Sequence, residues 1–195
     1  MAEINSKIIN IEFERVPDEY EIRVGADLLD NIGDFAKNLL NEKTGRICLF
    51  SNPTVYGLYG ERAEQSLQNA GFDVSAFLMK DGERHKNWHS LEAALDFFSE
   101  QKLTRVDAVV ALGGGVVGDL AGFASAIYLR GIPFIQVPTT LLAQIDSSVG
   151  GKTGINSATV KNSIGAFYQP RGVLVDIETL QTLAPRELAA GFYEV

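Results

Sequence analysis

The stretch Val109-Val110-Ala111-Leu112-Gly113-Gly114-Gly115-Val116-Val117-Gly118-Asp119-Leu120 decides how the rest of the chain is read. An apolar run rich in β-branched residues stops at three glycines. Apolar residues then recur at helical spacing: Leu120, Ala121, Phe123, Ala124, Ile127 and Tyr128. This is the pattern of a buried strand, a tight turn and a helix start. Glycines at such a turn let the backbone come close to a ligand, and a helix N-terminus offers free N–H groups to an anion. The stretch therefore reads as a phosphate or pyrophosphate cradle. Gly113, Gly115 and Gly118 match the dinucleotide spacing G-x-G-x-x-G in the right context. The acid that a standard Rossmann site carries about 20 residues further on is missing, and Pro133-Phe134-Ile135-Gln136-Val137-Pro138 stands there instead. On the glycines alone, a non-standard nucleotide cradle and a purely structural turn both fit.

Outward from this stretch the same alternation continues. Residues 47–50, 74–79 and 134–137 read as strands, and 28–40, 55–70, 91–98 and about 115–129 as helices. Alternation from about 46 to 140 implies a parallel sheet covered by helices, with ligands bound beyond the carboxyl ends of its strands. Ser51-Asn52, the polar loop 81–86, the glycine turn and Thr139-Thr140 all fall at such ends. Two β-rich runs, 8–13 and 20–24, joined by Val16-Pro17-Asp18-Glu19, predict an N-terminal β-hairpin with one wet face. After Leu141 the texture turns small, polar and glycine-rich, with a last strand at 173–175 and a short apolar turn at 179–183. Pro185 is well placed as the first residue of a helix. That helix is two turns long at Glu194-Val195, with no glycine or asparagine cap, and the expectation is a fragment.

The 195 residues, 46% hydrophobic and 22% charged, suffice for one good core, or one domain and a piece of another. A net charge of −8 argues against general nucleic-acid or anionic-membrane binding. No apolar run is long enough to span a bilayer, and the first residues lack the regions of a signal peptide. The single cysteine, Cys48, sits in an apolar run and reads as a buried structural thiol; a chain without internal disulfides suits a reducing, cytoplasmic compartment. Residues 120–172 run against the acidic whole. Asp146 is their only acid beside Arg130, Lys152, Lys161 and Arg171. Such a local positive field suits a small anionic ligand. His85 and His89 are spaced for a shared helix face, but the loop-to-helix junction between them disfavours a metal site. Trp88 and Tyr168 read as packing residues.

Taken together, the glycine turn through Asp119, Arg130-Gly131, the block from Gln136 to Thr153, and Lys161-Asn162 with Gly165-Ala166-Phe167-Tyr168-Gln169-Pro170 closely resemble 3-dehydroquinate synthase. The resemblance runs from about residue 8 to residue 195 and covers only the N-terminal part of that family's protein. It implies an α/β fold with a Rossmann-like parallel sheet, helices on both faces and the N-terminal hairpin. Residues 1–184 would form an NAD-binding domain and 185–195 the start of a C-terminal helical, metal-binding domain. The implied activity is a lyase of the shikimate pathway. It cyclises 3-deoxy-D-arabino-heptulosonate 7-phosphate to 3-dehydroquinate with release of phosphate, using NAD and a divalent metal, zinc or cobalt. The cofactor carries the hydride chemistry and the metal acts as a Lewis acid.

Position by position, the resemblance assigns NAD contacts to Asp81, Glu83 and Lys86, and to Gly114, Gly115, Val116, Gly118 and Asp119 at the pyrophosphate turn. Thr139 and Thr140 would lie toward the nicotinamide. Lys152, Lys161, Thr179, Thr182, Leu183 and Glu187 would line the same cleft, and Ser51 and Asn52 its adenosine end. Asp146, Lys152 and Asn162 would contact substrate. Arg130 would reach the substrate phosphate of a neighbouring subunit, which implies a homodimer. Glu194 matches the family's carboxylate metal ligand. The expectation is that this chain alone binds NAD weakly or not at all and turns nothing over. One departure is Ser157-Ala158-Thr159-Val160, where the family commonly has His-Pro after the asparagine. It keeps a paralogous sugar-phosphate cyclase open. A glycerol-dehydrogenase-type alcohol dehydrogenase and a non-catalytic nucleotide-binding module are the other readings.

Overall fold

Strand-forming runs that are apolar on both sides have to be covered on both faces, and the sheet shows why. The computed structural model describes residues 19–193. Its main sheet has six parallel strands: β1 (Glu21–Gly25), β2 (Arg46–Ser51), β3 (Asp73–Leu78), β4 (Ala108–Gly113), β5 (Phe134–Pro138) and β8 (Gly172–Asp176). Their order across the sheet is β1-β8-β5-β4-β2-β3. Alternate residues of one strand go to opposite cores. Cys48, Phe50, Val109 and Ala111 face α4 (Trp88–Glu100) and α5 (Gly115–Ile127). Ile47, Leu49, Val110 and Leu112 face α1 (Ile32–Leu39) and α3 (Glu61–Asn69). Short α2 (Pro53–Val55) and a π turn at Tyr56–Gly60 lead into α3, so residues 53–69 form one helical run.

The expected strands and helices are present, with ends moved by a few residues, as fraying and capping dictate. Two features add to the expected pattern. Residues 21–25, one arm of the expected hairpin, pair in parallel with β8. The other arm, 8–13, lies outside the described residues. The glycine-rich region also holds a second, two-stranded antiparallel sheet, β6 (Lys152–Ile155) with β7 (Ile164–Phe167). It packs on α5, where Ile155, Ile164 and Ala166 extend the core. The last helix, α6 (Pro185–Phe192), starts at its proline as expected. Cys48 is fully buried, and burial pushes its thiol pKa up.

Asp107 fixes the starts of β2 and β4 together. Its carboxylate accepts from Gly45 N (3.2 Å), Arg46 N (2.9 Å), Thr104 N (2.8 Å) and Thr104 Oγ1 (2.7 Å). Burial alone would raise its pKa, but these hydrogen bonds outweigh it and hold the carboxyl below its ordinary value. Its contribution to folding is therefore present above the ordinary carboxylate range and lost as the pH falls through the depressed value. Asp107→Ala is expected to cost about 2–3 kcal/mol in urea unfolding at neutral pH, because several donors lose a charged acceptor. The difference from the unsubstituted chain should shrink toward strongly acidic pH.

Candidate active site

The chain runs from β2 to β3 on one side of the sheet and returns to β4 on the other side of β2. The connection after β2 packs on one core and α5 after β4 on the other. A crevice therefore opens between the carboxyl ends of β2 and β4, the place where open α/β sheets bind ligands. Gly113, Gly114 and Gly115 lie there. Gly114 caps α5 with extended backbone and no side-chain hydrogen bond. Val117 N and Gly118 N donate to Gly114 O at 3.0 and 3.1 Å, so the open N–H groups of the first turn are those of Gly115 and Val116, which have neither an intrahelical acceptor nor a cap side chain.

Neighbouring side chains also crowd these glycines. A Cβ on Gly115 would sit 2.8 Å from Ser147 Oγ, and one on Gly118 2.5 Å from Gln136 Oε1. The glycine pattern therefore has a structural cause beside any ligand. Ser147 Oγ is itself buried and finds no hydrogen-bond partner. Glycines that leave no room for a side chain, an open helix start and an unpaired buried hydroxyl beside it fit an anionic group such as a pyrophosphate.

Asp119, one turn into α5, lines a cleft of about 530 Å³ together with Asp146, Ser147, Lys152, Asn162 and Phe167. Two ion pairs cross this wall. Lys152 Nζ meets Asp146 Oδ1 at 3.0 Å, with both side chains more than half exposed. Lys86 Nζ meets Asp119 Oδ2 at 2.8 Å, and the lysine side chain is only 4% exposed. Asn162 Oδ1 accepts from the same ammonium at 2.5 Å, and Glu83 Oε1 lies 3.7 Å away. Burial raises the Asp119 pKa above its ordinary value, and the Lys86 ammonium opposes that rise.

The structure thus gathers Glu83, Lys86, Asp119 and Asn162 in one knot, and Asp146, Lys152, Asp119 and Asn162 around one cleft. Gly114, Gly115, Val116 and Gly118 form the adjoining helix start. Thr139 and Thr140 follow β5 beside it: Thr139 N donates to Gly113 O at 3.0 Å, and Thr140 Oγ1 accepts from Ala143 N at 3.2 Å. Other residues expected as contacts hold hydrogen bonds within the chain. Ser51 is fully buried, and its hydroxyl donates to Leu112 O at 2.7 Å across the crevice. Asn52 caps α2 by accepting from Val55 N at 2.8 Å, and exposed Asp81 accepts from Thr54 Oγ1 at 3.1 Å. Thr179 donates to Asp176 O at 2.7 Å, and Thr182 bonds to Tyr59 OH.

Leu183 and exposed Glu187 follow β8 and, like Thr179 and Thr182, are not among the residues lining the cleft. Lys161 instead lines a separate open pocket with Arg84, Trp88 and Asn156. Arg130 follows the far end of α5, about 20 Å of helix from Gly115. Glu194 lies outside the described residues. Trp88 is 60% exposed rather than packed, while Tyr168 stacks on Phe134 at 5.7 Å and donates to Ile132 O. Among the described residues no group of three or more His, Cys, Asp or Glu is placed to hold a metal. Two residues were not singled out by sequence: Ser147, and Asn156, which ties Glu83 to Asn162. A polar residue in a polar loop carries no signal of such pairing.

Residues 76–190 match the family model of the 3-dehydroquinate synthase N-terminal domain. A 3-dehydroquinate synthase from Nostoc punctiforme is 48% identical over 191 residues, covering 97% of this chain and 51% of the relative. Among solved structures, 2-epi-5-epi-valiolone synthase from Streptomyces hygroscopicus subsp. jinggangensis, with NAD+ and Zn2+ bound, superposes with a TM-score of 0.85. It is 29% identical and is matched over 96% of this chain and 50% of that one. 2-Deoxy-scyllo-inosose synthase, complexed with carbaglucose-6-phosphate, NAD+ and Co2+, gives 0.82 at 27% identity, over 90% and 47% of the two chains. The chain spans about half the length of the relatives it matches. With its glycine-opened helix start at the β2–β4 crevice, the chain belongs to the 3-dehydroquinate synthase family.

Proposed function

We propose that this chain is the dinucleotide-binding half of a 3-dehydroquinate synthase, the cyclase that releases phosphate from 3-deoxy-D-arabino-heptulosonate 7-phosphate. The observation that carries this reading is the uncapped start of α5 at the crevice, beside a cleft lined by Asp119, Asp146, Lys152 and Asn162. In this reading residues 1–184 form the NAD-binding domain, and 185–195 begin a helical, metal-binding one. Bound NAD supplies a hydride acceptor and donor. The chain's own part is to hold and orient. The α5 N–H groups take the pyrophosphate, and Asp146 and Lys152 present an exposed ion pair to a phosphorylated acid. Such a pair is worth little by itself, so an anionic substrate draws Lys152 away from Asp146 at small cost.

The described residues do not assemble a metal site; the ligand role of Glu194 is part of the proposal. So are the homodimer through Arg130 and a cytoplasmic setting. No helix among the described residues is long and apolar enough to cross a membrane.

The test is a chimera joining this chain to the C-terminal half of the Nostoc punctiforme relative. It is expected to release phosphate from the heptulosonate phosphate without net NADH formation, whereas this chain alone turns nothing over. Net NADH from glycerol, with no phosphate released, would instead support an alcohol dehydrogenase of the glycerol-dehydrogenase type. Lys152→Met in the chimera is expected to lower kcat/KM roughly a hundredfold, read as the rate of phosphate release at low substrate.

A further inference from the structure

β5 and β8 lie side by side in the sheet, yet their pairing covers only Ile135–Gly172 and Gln136–Val173, toward their amino ends. Nearer the crevice the two strand ends are joined through a side chain. Gln144 Nε2 lies 3.2 Å from Pro138 O, 3.3 Å from Asp176 O and 3.2 Å from Thr179 Oγ1. The two carbonyls have no hydrogen to give, and the Thr179 hydroxyl donates its own to Asp176 O at 2.7 Å. All three oxygens therefore act as acceptors, and only the NH2 end of the amide, with its two hydrogens, can face them. Gln144 stands in the π turn Ala143–Ser147, which also carries Asp146 and Ser147 of the cleft. Thr179 stands in the 3-10 turn Ile177–Thr182, a few residues before α6. On that turn Tyr59 OH also donates to Thr179 O at 3.0 Å and bonds to Thr182 Oγ1.

We infer that Gln144 is a positioning residue, whose amide staples the turn bearing Asp146 and Ser147 to the ends of β5 and β8 and to the 177–182 turn. Its effect on turnover rests on the proposed reading of the cleft; the staple itself does not. Each turn is closed by its own backbone: Ser148 N donates to Ala143 O at 3.1 Å, and Leu183 N to Leu180 O at 3.1 Å. Those bonds shape the turns without connecting them, whereas the Gln144 amide does connect them. One side chain thereby sets how the wall of the cleft lies against the segment that leads into α6. A side chain of similar size without a donor leaves two strand-end carbonyls and a hydroxyl oxygen short of a partner.

Amide hydrogen exchange of the 195-residue chain, followed residue by residue, tests the staple. In Gln144→Met the hydrogen-bonded amides of Ser148 and Leu183, which close the two turns, are both expected to exchange at least roughly tenfold faster through local opening. The amide of Leu91, bonded to Asn87 O in α4, should keep its rate. Gln181→Ala, an exposed change in the 177–182 turn, should leave Ser148 unchanged. If Gln144→Met does not fold, Thr179→Val, which removes one acceptor at the other end of the staple, should speed both amides in the same way. Faster exchange in only one of the two turns, no change in either, or an equal change at Leu91 overturns the inference. In the chimera, Gln144→Met should lower kcat for phosphate release roughly tenfold with KM for the heptulosonate phosphate within about threefold, because the binding groups remain and only their alignment is lost. An unchanged kcat, or a rise in KM alone, overturns the catalytic part. A parent chimera without turnover defeats the reading of the cleft instead, and the exchange pattern still decides the staple.

Discussion

Lys86→Met is expected to destabilise the chain by about 3–5 kcal/mol at neutral pH, measured by urea unfolding, because breaking a buried ion pair leaves the other charge uncompensated. The stranded group is Asp119, whose side chain is 18% exposed. Burial already raises its pKa, and Lys86 is the main influence opposing that rise. Without the ammonium the carboxyl moves further up. A raised folded-state pKa means that the folded chain takes up the proton more readily than the unfolded chain. The contribution of Asp119 to stability is then fully present below the ordinary carboxylate range and lost as the pH rises through the raised value. Lys86→Met should therefore regain part of its stability at mildly acidic pH, the opposite sign to Asp107. The double variant Lys86→Met with Asp119→Asn should recover much of the loss at neutral pH. A single variant as stable as the parent would show that Lys86 is not the buried counter-ion described above.

Gly115→Val is expected to lower NAD affinity on the order of a hundredfold, since it sets a branched side chain over the N–H groups proposed to meet the pyrophosphate. Its Cβ also meets Ser147 Oγ at 2.8 Å, so a stability loss of about 1–3 kcal/mol accompanies it. The two effects separate in Gly115→Ala combined with Ser147→Gly. That pair removes the collision while adding only a methyl group. Unfolding should return close to the parent, and NAD binding should recover in part. Full recovery of NAD binding in Gly115→Val paired with Ser147→Gly would assign the glycine to packing alone.

The parallel sheet was legible because its strands are buried on both faces and alternate with helices of clear period. Runs such as 109–113 and 134–137 admit little else. The β6–β7 pair was not. Each strand has four residues, and Gly154 stands opposite Gly165, so neither carries an apolar alternation to detect. The hydrogen bond from Ser51 to Leu112 likewise has no sequence signature, being tertiary. The site was legible as a set of residues but not as an arrangement. Lys86, Asp119 and Asn162 each resembled a ligand contact, yet they satisfy one another across 33 and 76 positions of chain. Pairing over such distances depends on how the loops fold back over α5, which local pattern does not encode.

The start of α5, at the crevice between β2 and β4, is proposed as a pyrophosphate cradle. Titrating the isotope-labelled chain with millimolar NAD and following backbone amide shifts tests it most directly. Shifts are expected to concentrate at Gly114, Gly115, Val116 and Asp119, with smaller ones at Thr139 and Thr140, and none of them in Gly115→Val. Shifts that instead cluster around Trp88 and Lys161, or that persist unchanged in Gly115→Val, would contradict it.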